Sequence, residues 1–209
     1  MLFQFQSLLK IVLFTSLLLA HSSRALHRTS SNTGGSLSTN FSRNMAAAAG
    51  KYPIYCDADV MSGKSHGTCE KLVMKNLRWN VDWDTADRIC CFNRHYAEYS
   101  GYWETTTFLE QIAKDEDKPI TFYDSVYHKP LFRAPVGRTW KQFLAESKIH
   151  GWPSFRDEEV VWENVRCLQN GEAVSLGGTH LGHNLPDKKG NRYCINLVSV
   201  AGVPEQGEP

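Results

Sequence analysis

The sequence predicts a mainly β (α+β) domain, an antiparallel β-sheet with peripheral helices. Two observations carry this. Five short strand-like runs, over 120–124, 131–134, 160–166, 173–176 and 193–200, follow one another with Gly-rich turns between them. Helix signals, by contrast, are confined to two places. Residues 84–99 read as a helix, with Asp82 or Asp84 as N-cap and Ala86, Ile89, Cys90 and Asn93 near one face. Thr139 with Gln142 three residues on forms a capping-box pattern ahead of Phe143 and Leu144. The charged stretch 114–118, closed by Pro119, reads as a surface loop. A chain of 209 residues is long enough for one ordinary domain with appendages. It carries no internal repeat and no glycine-rich phosphate loop.

With 23 basic against 22 acidic residues the formal charge is +1, which does not suggest a broad nucleic-acid surface. The charge is unevenly spread. No Asp or Glu precedes Asp57, while Lys10, Arg24, Arg28, Arg43 and Lys51 all do, so the remainder is mildly acidic. The apolar run 8–20 is short for a membrane span, which needs about 20 residues, and fits a signal-peptide core with a cut after Ala25. Residues 26–50, rich in Ser, Thr, Asn and Ala and free of acids, have a transit-peptide composition. Signal plus transit predicts a plastid reached through the secretory pathway; a plain secretory signal before a linker, placing the protein outside the cell or in the endomembrane lumen, is the alternative. Met45 offers a second start. The organisation expected is a targeting segment at 1–50, an N-terminal extension with a helix at 51–118, a β domain at 119–203 and a tail at 204–209.

The chemistry centres on Cys194. On a strand, side chains alternate, so Arg192, Cys194 and Asn196 share one face while Tyr193, Ile195 and Leu197 pack on the other. A neighbouring cation favours the thiolate, the nucleophilic form of cysteine. Asp187, five residues before Arg192 across a turn, would pair with Arg192 and aim it at Cys194. His180 and His183 stand three apart beside Gly177, Gly178 and Gly182, read as a glycine-flanked loop in which both rings converge on one ligand. Trp152, between Gly151 and Pro153, is held as a pocket wall. Six cysteines occur with no Cys-x-x-Cys pair, which disfavours a structural zinc site. Asp57, Asp59, His66, Cys69 and Glu70 are metal-ligand types, but of a kind common on surfaces.

Three segments, GWPSF at 151–155, GTHLGH at 178–183 and RYCIN at 192–196, occur in the order found in B-type methionine-R-sulfoxide reductases, and the chain resembles that family over about 95–202. Lys129 to Phe132 and Ser100-Gly101-Tyr102 add weaker similarity. The resemblance implies a reductase of methionine-R-sulfoxide, free or in proteins. In it Cys194 attacks the sulfoxide sulfur and becomes a sulfenic acid, while His180, His183 and Asn196 bind and help protonate the oxygen. Trp152 receives the methyl group, with Phe155 beside it as a substrate-binding residue. Arg192, oriented by Asp187, favours the thiolate. No metal or other cofactor is implied, only a thioredoxin-like thiol reductant as electron donor, and neither a nucleic-acid partner nor a stable membrane span.

The departures from the family fall on recycling and zinc. Its Cys-x-x-Cys zinc pairs are missing, replaced around residues 127–130, and only Cys167 stands where the second would begin. Residues 168–177 read as an inserted hairpin, and His150 stands where some members carry the resolving cysteine. Cys167 is the first candidate for the resolving thiol, ahead of Cys56, Cys69, Cys90 and Cys91; an external reductant acting directly on the sulfenic acid is the other route. Two further readings stay open. One is a non-catalytic module that binds sulfoxides or peptides on the same fold. The other is a metal-binding structural β protein using His180, His183 and Cys167 or Cys194.

Overall fold

The computed structural model describes residues 51–116 and 118–206. The expected targeting segment at 1–50, with Met45, and the end of the tail lie outside the described residues. Two antiparallel sheets form. The strands β1 (Ile120–Tyr123) and β2 (Pro130–Ala134) make a two-stranded ribbon. The larger sheet has β3 (Ser154–Phe155), β4 (Val165–Cys167), β5 (Glu172–Ser175), β6 (His180–Asn184) and β7 (Tyr193–Ile195), in the order β3-β7-β6-β5-β4. With few helices, the architecture is the antiparallel, mainly β type predicted.

Strand alternation divides the large sheet into two faces. Cross-strand partners Ser154, Cys194, His183 and Glu172 form one row. The adjoining row, Ile195, Gly182, Ala173 and Cys167, points the other way into the core. On that inner side Phe155 stacks on Phe132 at 4.4 Å and meets Phe122 and Phe143 edge-on at 5.0 and 5.2 Å. Trp79, Ile89 and Phe108 bury themselves in the same cluster, so the expected boundary between an extension at 51–118 and a β domain does not divide the core. Those residues cover an apolar surface that the short strands alone leave open.

The helix α1 (Trp83–Asp87) starts where Asp82 accepts a hydrogen bond from the Thr85 amide at 2.7 Å. It runs on only through a π-helical turn, Arg88–Phe92, and not to Tyr99. Ala86, Ile89 and Cys90 are buried as their spacing predicts. The chain then leaves the helix because Arg94 reaches away to Glu172 and residues 95–97 line a cleft. A helix the sequence reading missed, α2 (Phe108–Lys114), buries Phe108 and Ile112, four residues apart on one face; the charged loop follows it. The third, α3 (Trp140–His150), has the expected capping box at Thr139 and Gln142. It ends at Gly151, whose φ of +89° is a left-handed cap and whose position leaves no room for a side chain against Ser100.

Two strand expectations change. Of 160–166, only Val165 onward is strand, since Val160 makes an isolated bridge to Phe132 and a turn follows. The run 193–200 ends as strand at Ile195, and Leu197–Ser199 is a 3-10 turn. Of the hairpin expected at 168–177, the range holds the turn, closed by Gly171, and the second strand β5, while the first strand, β4, lies just before it. No described helix is long and apolar enough to cross a membrane.

Candidate active site

His180 and His183 lie on β6 rather than in a loop. In a regular strand, residues three apart face opposite ways. Here one register shift opposite Ala173 and Val174 makes Leu181 an extra residue, a bulge that returns His180 to the face of His183. The two rings sit 5.6 Å apart. Gly182 is required next to them because a Cβ there would lie 2.1 Å from the Cys194 carbonyl oxygen.

A cleft of about 460 Å³ opens over this face. Cys194, His180, His183, Trp152, Asn196 and Arg192 all line it, so six of the sequence-selected residues are brought together. Arg192, 7% exposed, donates from Nη1 to the Cys194 sulfur at 3.2 Å. The Trp152 indole N–H donates to the Glu98 carbonyl at 3.0 Å, which fixes the ring as a wall. Asn196 donates to the Leu181 carbonyl at 3.1 Å and accepts from the Glu98 amide at 3.3 Å, leaving one amide hydrogen uncommitted.

Three selected residues stand elsewhere. Phe155 is fully buried on the inner face, among the core aromatics, because it follows Ser154 on β3 and so points away from Cys194. It touches no substrate in the cleft. Cys167 is also fully buried and faces inward on β4, three interstrand steps from β7, roughly 14 Å at about 4.8 Å each. Burial pushes its thiol up to about 12. It therefore neither resolves Cys194 without unfolding nor joins the histidines around a metal ion. Asp187 pairs first with Arg156, at 2.8 and 3.1 Å, and comes only to 3.8 Å of Arg192 Nε. The Arg156 guanidinium holds the Asp187 carboxyl well below the usual range. Asp187 thus pairs with Arg192 as expected, but only as an ion pair at 3.8 Å, because Arg156 donates hydrogen bonds to both carboxylate oxygens.

Several contributors were not legible beforehand. Glu172 on β5 accepts from His180 Nδ1 at 2.8 Å and from Arg94 at 2.6 to 3.1 Å. Burial pushes its carboxyl up, but hydrogen bonds from His180 and Arg94 outweigh this and hold it at about 2. An ionised carboxylate only accepts, so His180 carries its proton on Nδ1 and offers Nε2 to the cleft. Burial, with repulsion from His180, lowers His183 from its ordinary value. His95 and His150 also line the cleft; burial and the Arg192 charge lower His150. Glu98 is buried with its carboxylate on the amides of Leu197 and Val198 at 2.8 and 3.1 Å, and burial pushes it up to about 8. Only the cross-strand register, which no local pattern encodes, identifies Glu172.

The other cysteines are also placed. Cys69 and Cys91 form a disulfide, Cys90 is buried beneath Ser199, and Cys56 lies beside Cys167 at the far edge of the sheet. Cys194 is the one cysteine lining the cleft among the described residues. Comparison with family models, curated proteins and solved structures found no match to this chain.

What the arrangement can do chemically follows from its parts. It holds a half-buried thiol beside a fixed cation, two imidazoles of which His180 is oriented by Glu172, a free amide donor and an aromatic wall. Such a set suits nucleophilic attack by sulfur on a small polarised group whose oxygen is bound by the donors and whose apolar end meets the indole.

Proposed function

We propose that this protein reduces methionine-R-sulfoxide, free or within proteins, on a sheet of the B-type methionine sulfoxide reductase kind. The observation that carries the reading is the Arg192 contact to Cys194 Sγ at 3.2 Å, made inside the cleft that His180, His183, Asn196 and Trp152 also line. The Cys194 thiolate attacks the sulfoxide sulfur while one proton reaches the oxygen. The protonated oxygen then transfers from the substrate sulfur to Sγ as the transient sulfur–sulfur bond and the sulfur–oxygen bond break, so methionine leaves and Cys194 carries the oxygen as a sulfenic acid. His183, the free Asn196 hydrogen and His180, once its Nε2 also carries a proton, are the groups that bind and protonate that oxygen. The Trp152 ring seats the methyl group, and this seat selects one epimer by shape.

Because no second cysteine lines the cleft, the sulfenic acid is resolved by an external thiol of the thioredoxin kind, forming a mixed disulfide and water. The same reading keeps residues 1–50 as an address to a plastid by way of the secretory pathway. The test is to incubate the purified protein with each epimer of a chromophore-labelled methionine sulfoxide and dithiothreitol. Loss of the R epimer only, abolished in Cys194→Ser, is expected. No consumption, or an undiminished rate in Cys194→Ser, overturns the reading. The missing second thiol also favours a binding-only module, and a tight sulfoxide complex that never turns over would establish that instead.

A further inference from the structure

Away from the cleft, His66, Asp87 and Cys91 converge on one point with Cys69 bonded to Cys91, and nothing in the proposed reaction uses them. His66 Nε2 lies 2.8 and 3.0 Å from the two oxygens of Asp87. One ligand atom each of His66, Asp87 and the Cys91 sulfur falls within 4.8 Å of the others. Cys69 is bonded to Cys91, with a Cα separation of 5.4 Å. Three atoms of metal-ligand type therefore share one spot, and the Cys69 sulfur is bonded to one of them.

The backbone builds this spot as two chelating half-sites. His66 and Cys69 close a tight turn by exchanging amide hydrogen bonds of 2.8 and 3.0 Å. Gly67 makes the turn possible, with φ +63° and no room for a Cβ against the Cys91 carbonyl. Thr68 docks the turn onto that same carbonyl at 2.8 Å. Asp87 and Cys91 are four residues apart, the end of α1 and the following π-helical turn, so they overlie. The two spacings, His-x-x-Cys and Asp-x-x-x-Cys, are of the short kind that structural zinc sites use, though neither is a Cys-x-x-Cys pair. Both sulfurs are buried, while His66 and Asp87 are partly exposed and form the mouth.

We propose that the dithiol form of this cluster is a tetrahedral site for a borderline-soft divalent metal of the zinc class, with Cys69, Cys91, His66 and Asp87 as ligands. Disulfide and metal are exclusive states of one cysteine pair. A dithiol reductant delivers two electrons and two protons to the disulfide and is itself oxidised to its own disulfide. The metal then displaces both thiol protons and takes two thiolates, one imidazole nitrogen and one carboxylate oxygen. Zinc–ligand bonds of about 2.0 to 2.3 Å place tetrahedral ligands roughly 3.3 to 3.8 Å apart. The His66 and Asp87 atoms need to separate by under about 1 Å for this, and the sulfurs part once their bond is gone.

The experiment is an anaerobic cobalt(II) titration of the full chain after reduction by a water-soluble phosphine, done in Cys194→Ala so that the cleft thiol does not compete. Reduced protein is expected to take one equivalent, with thiolate charge-transfer absorption and tetrahedral visible bands that zinc bleaches. The disulfide form is expected to show none. Cys69→Ala should abolish the signal, and His66→Ala or Asp87→Ala should weaken binding at least tenfold. X-ray absorption on the zinc-loaded protein, which needs no ligand variant, should count two sulfur and two lighter ligands. Absence of the bands in reduced protein, their survival in Cys69→Ala, or a different sulfur count overturns the proposal. None of these readouts depends on sulfoxide reduction.

Discussion

Arg192 makes its side-chain hydrogen bond to the Cys194 sulfur and stands 3.8 Å from Asp187, so the thiol is the group its charge serves. Replacing Arg192 with Met keeps much of the packing and removes that cation. Alkylation of Cys194 by iodoacetamide at pH 7 should slow about tenfold, the size of effect a lost charge-assisted hydrogen bond of about 1.4 kcal/mol gives. An unchanged rate would mean that the guanidinium does not support the thiolate. At this scale the sequence was readable where one strand carried the pattern. Arg192, Cys194 and Asn196 share a side because strand alternation is local. Phe155 was misassigned for the same reason in reverse: its motif neighbour Trp152 sits before the strand, and alternation turns Phe155 inward.

Elements decide how the two histidines meet. The bulge at Leu181 puts both on one face, and the glycine after it lets β7 pass close by. Gly182→Ala inserts a methyl 2.1 Å from the Cys194 carbonyl oxygen, which the strands relieve only by moving apart. A loss of about 1 to 3 kcal/mol is expected, read as a lower melting temperature, together with loss of sulfoxide reduction. A variant as stable and as active as the parent would show that β6 and β7 have slack. Helix starts at Asp82 and Thr139 were legible because a cap is encoded within four residues. The end of α1 was not, since Arg94 beyond it pairs with Glu172, 78 residues further along.

The whole molecule adds a pH dependence through Glu98, whose buried carboxyl is pushed up to about 8. A carboxyl with its folded pKa above the unfolded value binds its proton more tightly when folded, so its contribution is full below about 4.5 and is lost as pH rises to about 8. Glu172, held at about 2, acts oppositely and loses its contribution only below about 4.5. Above about 6.5, where the lowered histidines His150 and His183 no longer oppose it, melting temperature should fall as pH rises to about 8, and Glu98→Gln should flatten the slope. A slope unchanged in that variant would place the effect on another group. Sequence alone determined the antiparallel, mainly β class, the helix caps, and the facing of Cys194 with Arg192, because period, capping and turn chemistry act over a few residues. Tertiary structure decided the rest. It gave His180 its orienting carboxylate, Asp187 its arginine and Cys69 its partner, and it moved Cys167 out of reach of Cys194, because each of these is a relation between distant segments that only register and packing bring into contact.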